Sequence, residues 1–108
     1  MTERERRNHK RFELSCPVKI SITGGQTHSG ETLNISNADL LAVVPSSALC
    51  APGTKVLLTI SVPRVTPNTF MYEEFTCLGF IARLQTADKD HIGVAIQFVQ
   101  PLDLLLEV

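Results

Sequence analysis

From Leu14 onward the sequence alternates. Val18, Ile20 and Ile22 are apolar while Lys19, Ser21 and Thr23 are polar, a period of two that an extended strand converts into one apolar face. Gly24-Gly25 then supplies a hairpin turn, and the chain is expected to return as a second strand over His28 to Ile35, with a short third from about Leu40 to Val44. Pro45 to Gly53 carries turn chemistry and ends in Pro52-Gly53. The fourth predicted strand sets Val56, Leu58, Ile60 and Val62 on one face and Lys55, Thr59 and Ser61 on the other, with Leu57 breaking the pattern. Pro63 and Pro67 are expected to bracket a loop, because proline cannot donate to a central ladder. Glu73 to Gln85 reads as a long strand with apolar residues on both faces, and Ala87 to Asp90 as a polar turn. The last strand places Ile92, Val94, Ile96 and Phe98 on one side, with Gly93, Ala95 and Gln97 opposite.

Six short strands with almost no helical periodicity before position 100 predict an all-β fold, a closed or nearly closed antiparallel barrel. Closure would remove the exposed edges that such strands otherwise present. After Pro101, Leu102 to Val108 is expected to form one or two helical turns, too short to stand alone and therefore packed on the barrel. The chain of 108 residues has room for one core. Residues 1–13 are expected to be a flexible arginine-containing segment and residues 14–108 a single barrel domain.

Charge narrows the choice of partner. The formal net charge is −1, which gives no general attraction to DNA, RNA or an acidic membrane. Five of the 10 Lys and Arg residues nevertheless fall in the first eleven positions: Arg4, Arg6, Arg7, Lys10 and Arg11. A cationic segment on a near-neutral body suits a specific anion rather than a diffuse polyanion. Cys16, Cys50 and Cys77 form no CxxC pair, and the first and last of them sit in apolar runs as small core residues. His9, His28 and His91 lack metal-ligand spacing, Glu73-Glu74 reads as a solvated pair, and no nucleophile elbow is present, so neither a metal, a cofactor nor catalysis is expected. No apolar run approaches the length of a membrane span, and the N-terminus has no signal-like apolar region, which predicts a cytoplasmic protein.

Two clusters carry the chemistry. The first, Glu5 to Arg11, spaces Arg7 and Arg11 four apart just before strand one. The second, Asn34-Ile35-Ser36-Asn37-Ala38-Asp39, lies at the turn out of strand two. Guanidinium forks match phosphate oxygens or the O6/N7 edge of guanine. Asn and Ser at a strand end hydrogen-bond a base edge or simply form a turn.

In that register the sequence resembles the PilZ domain family. Arg7-x-x-x-Arg11, followed by Phe12 and the Pro17-Val18 strand, is similar to the RxxxR segment that opens those domains. Asn34-x-Ser36 resembles the start of their second motif, [D/N]-x-S-x-x-G, and Gly93 to Phe98 is similar to their last strand. The resemblance covers residues 6 to 99. It implies a six-stranded PilZ-type barrel and a bacterial receptor for cyclic di-GMP that alters its surface on binding and so regulates a protein partner, as a monomer or weak homodimer. By position, Arg7 and Arg11 would hold phosphates and guanine edges, Asn34 and Ser36 would contact a guanine, and Arg6 would assist electrostatically.

One position departs from the pattern: Asp39 stands where the family has glycine. If that position needs positive φ, aspartate costs about 1–2 kcal/mol there, and its charge would repel a dianionic ligand. Some PilZ-like proteins do not bind the nucleotide and act as interaction adaptors, for example in type IV pilus assembly. Asp39 and the apolar tail Leu102, Leu104, Leu105 and Leu106 fit that second reading, and the two arginines fit the first.

Overall fold

Each alternating run becomes a strand with its apolar side turned inward. The computed structural model describes residues 10–47 and 51–106. Its strands are β1 (Pro17–Ile22), β2 (Thr27–Ile35), β3 (Asp39–Pro45), β4 (Lys55–Val65), β5 (Phe70–Thr86) and β6 (His91–Phe98). They close into a barrel in the order β1-β2-β3-β6-β5-β4, with every neighbouring pair antiparallel. The chain thus makes two three-stranded meanders, β1-β2-β3 and β4-β5-β6. Two seams join them: β1 against β4, with Ile20 opposite Leu58, and β3 against β6, with Ala42 opposite Val94.

Ile20, Leu58, Ile60, Ile81, Val94 and Ile96 fill the interior, each almost wholly shielded from solvent. Burying an aliphatic side chain of this size contributes about 1.5–3 kcal/mol. The connection from β3 to β4 shows how local chemistry sets the path. Thr54 N–H donates to Ala51 C=O (3.1 Å) across Pro52-Gly53, and Gly53 lies at φ 88°, the geometry of a type II turn with proline first and glycine second. Gly30 serves differently: a Cβ there would lie 2.2 Å from the Val43 carbonyl oxygen, so β2 and β3 approach too closely for any side chain.

Two expectations are corrected. Pro63 does not end a strand; it lies within β4, opposite Tyr72 of β5. The β1 ladder reaches only as far as Ile60 on β4, so beyond that point one side of β4 is an edge, where a proline is tolerated. The turn falls later, around Thr66–Thr69, whose backbone N–H and C=O groups pair with each other.

The C-terminal run is not a helix over its described residues, 101–106, but an irregular strap across one end of the barrel. Its amides bond outward instead of to each other. Leu102 N–H donates to Asn37 C=O (2.7 Å) and Leu104 N–H to Asn37 Oδ1 (3.0 Å). Arg64 grips the other side, donating from Nη1 to Leu105 C=O (2.7 Å) and from Nη2 to Leu104 C=O. Leu104 is fully buried, Leu106 nearly so, and Leu105 points out at φ 52°. That alternation with a left-handed residue is incompatible with helical turns.

Candidate functional site

Sequence-distant residues meet at the β2–β3 end of the barrel. Phe12 and Ile35 exchange backbone hydrogen bonds (both 2.9 Å) as an isolated bridge outside the main strands. This pairing carries Arg11 alongside the end of β2. Its guanidinium donates from Nη1 to Asn34 Oδ1 (2.5 Å) and from Nη2 to Asp39 Oδ2 (2.7 Å). The Arg11 and Asp39 side chains are 50% and 30% exposed, so the cluster opens to solvent. Nearby, Lys10 Nζ sits 5.3 Å above the Phe12 ring.

The turn from β2 to β3 is organised by Ser36, which is buried. Its hydroxyl accepts from the backbone N–H of Ala38 (3.0 Å) and Asp39 (3.1 Å) and donates to Asp39 Oδ1 (2.8 Å). Ser36 N–H also donates to Asp39 C=O (2.8 Å). This is the turn-forming use of a serine. It leaves the Asp39 carboxylate split, with Oδ1 on Ser36 and Oδ2 on Arg11.

The expected backbone penalty at Asp39 is absent. Asp39 begins β3 opposite Gln97, and Leu105 is the one non-glycine residue with positive φ among the described residues. What distinguishes Asp39 from a glycine at this site is therefore its carboxylate.

Of the six residues singled out in the sequence, Arg11, Asn34, Ser36 and Asp39 are brought into one cluster. Arg6 and Arg7 lie outside the described residues. Two contributors escaped the sequence reading. Asn37, inside the second motif, ties the turn to the strap. Arg64 clamps the strap, donates from Nε to Glu73 (3.0 Å) and covers Phe75 with its guanidinium 6.0 Å from the ring centroid. A signal for Arg64 existed: it continues the inward series Val56, Leu58, Ile60 and Val62 at the same period.

The remaining reactive groups have other surroundings. Cys16 is buried and Cys77 partly so, both as free thiols. Burial pushes the Cys77 pKa up to about 11 and raises that of Cys16, which suppresses the nucleophilic thiolate. His91 Nδ1 lies 3.0 Å from Asp88 Oδ1, a hydrogen bond that holds the Asp88 carboxyl below its ordinary range. Among the described residues no three His, Cys, Asp or Glu side chains are grouped to hold a metal, and no helix is long and apolar enough to cross a membrane.

Comparison with known proteins agrees with the six-stranded barrel. The family model described as PilZ domain matches residues 5–107. Among solved structures, the Bacillus subtilis inhibitor of motility MotI aligns with TM-score 0.71 at 12% identity, over 88% of this chain and 43% of that one. The chain therefore spans less than half of MotI's length. The PilZ domain of CeSA from a cellulose-synthesizing bacterium aligns with TM-score 0.57 at 20% identity, covering 84% of this chain and 82% of its own. The PilZ domain of YcgR from Escherichia coli, solved with c-di-GMP, aligns with TM-score 0.59 at 8% identity over 88% and 79% of the two chains. At these identities the likeness is one of fold. No curated protein matches the sequence significantly.

Proposed function

The chain belongs to the PilZ domain family, and from that premise we propose that it is a cyclic di-GMP receptor whose occupancy is read by a protein partner. The observation that supports this most directly is the Arg11 Nη1 hydrogen bond to Asn34, which joins the two motifs across 23 positions at an exposed end of the barrel. Two of the five guanidinium donors are used on Asn34 and Asp39, so the group retains donors for a phosphate or a guanine edge. In this reading Arg7 and Arg11 engage phosphates and guanine edges, Asn34 and Ser36 approach a guanine, and Arg6 adds positive potential. Partner recognition falls to surfaces next to the β2–β3 turn, where the segment before β1 and the strap both attach.

Isothermal titration of the purified protein with cyclic di-GMP tests the reading. Saturable binding is expected, weakened about tenfold or more by Arg7→Ala, since a two-point guanine contact is worth about 1–3 kcal/mol. A specific observation favours a second reading, a protein-interaction adaptor that does not bind the nucleotide. Arg11 already carries a carboxylate partner, in Asp39. Absence of binding at millimolar ligand would decide for the adaptor.

A further inference from the structure

The Asp39 carboxylate is aimed. Ser36 Oγ donates to its Oδ1 at 2.8 Å, which turns Oδ2 toward Arg11 Nη2 at 2.7 Å, while Asn34 Oδ1 takes Nη1 of the same guanidinium at 2.5 Å. A carboxylate oxygen on one guanidinium nitrogen takes up a donor that the two-point grip of arginine on phosphate would use. We propose that Asp39 is a tethered competitor for the ligand's phosphate at Arg11, so that the protein occupies its own anion site until cyclic di-GMP displaces it. The proposal rests on the receptor reading above and specifies what sets the affinity of that site.

Two physical points give it a magnitude. The carboxylate is fixed at the start of β3 and the arginine by the Phe12–Ile35 bridge, so the competitor is intramolecular and acts at an effective concentration of order millimolar or above. The pair is also half-exposed, and exposed ion pairs are weak, about 0.2–1 kcal/mol. The intrinsic dissociation constant is divided by the fraction of molecules with Arg11 free, so self-occupation raises the apparent dissociation constant roughly two- to sixfold. Asp39 sets a threshold and does not block the site. A glycine, the family's residue here, has no such group.

Simple repulsion between Asp39 and a dianionic ligand would also weaken binding, and a double-mutant cycle separates the two. Cyclic di-GMP is titrated into the wild type, Asp39→Asn, Arg11→Ala and the double variant, with far-UV spectra to show that each keeps the fold. Both side chains lie at the surface, so folding is expected to survive. If Asp39 competes through Arg11, Arg11→Ala is costlier when Asp39 is absent. Its penalty should be about tenfold in the Asp39→Asn background and roughly two- to sixfold smaller in the wild type. Repulsion acts whether or not Arg11 is present and cancels in the cycle. Equal Arg11→Ala penalties in the two backgrounds, or a larger one in the wild type, overturn the competitor while leaving the receptor reading standing. No binding by any of the four proteins overturns the receptor reading, and the competitor with it.

Discussion

Leu104 offers a decisive perturbation because it is the side chain by which the strap enters the core most deeply. Its side chain is fully buried while that of Leu105 is 63% exposed. Leu104→Ala removes three carbons from the barrel's end, a transfer loss of about 2.5 kcal/mol at 0.8 kcal/mol per methylene. The loss rises toward 4–5 kcal/mol if the strap cannot close over the space. For a domain of this size, 2.5 kcal/mol lowers the melting temperature by about 10–20 °C. Leu105→Ala should stay within about 0.5 kcal/mol of wild type. Urea denaturation with both variants measures this, and the slope carries extra information. If the strap detaches instead of tolerating a cavity, less surface remains to be exposed on unfolding and the m-value falls along with the midpoint. A Leu104→Ala variant no less stable than Leu105→Ala would refute the docking of the strap through Leu104.

Three further outcomes follow from the same packing. Leu105→Gly should be neutral or stabilising by up to about 1 kcal/mol, because Leu105 sits at φ 52°; a loss of about 1 kcal/mol in thermal melts, as glycine produces in a helix, would contradict the strap conformation. Phe98→Ala should cost about 3–5 kcal/mol and Gln97→Ala little, since Phe98 is 5% exposed and Gln97 faces solvent; similar urea midpoints for the two would show the register of β6 to be wrong. The folded Cys77 thiol keeps its proton to about 11 while the unfolded one releases it from 9.0. Above pH 9 the unfolded state therefore binds fewer protons, and stability should fall between about pH 9 and 11, then level off. Chemical denaturation across that range should show a smaller decline in Cys77→Ala than in wild type, the remainder coming from the buried Cys16, whose pKa is raised in the same sense.

The strands were legible because a half-buried wall leaves its period in the sequence: Val18, Ile20 and Ile22, or Val94, Ile96 and Phe98, can share a face in only one way. Closure followed from their number and spacing. What escaped was whatever depended on where a neighbouring strand stops. Pro63 reads as a breaker until β1 is seen to end its pairing at Ile60. The strap reads as helical because leucine runs favour helices, and only Asn37 and Arg64, distant in sequence, make an extended path better. In the candidate site, the resemblance to the two family motifs pointed to Arg11, Asn34 and Ser36. That Asp39 would face the arginine instead of straining the backbone depends on the Phe12–Ile35 bridge, a pairing outside any regular strand. Asn37 lay within the second motif, but a turn asparagine carries no mark of the tail it holds.

The two-meander construction also governs how the chain can fold. Within each meander, hairpin contacts are local, but both seams are not: Ile20 must find Leu58, and Leu40 must find Ile96. Loop-closure entropy is lost before either seam forms, so folding should be slow for so short a chain, in the millisecond-to-second range of all-β domains. Neither half has an enclosed core by itself, since Ile20 and Leu40 from one face Leu58 and Ile96 from the other. Formation of one seam brings the strands of the second into reach, and the transition state is expected where the first seam closes. A break between Pro45 and Lys55 would sever neither meander, and the two fragments could then refold as a bimolecular pair whose rate depends on concentration.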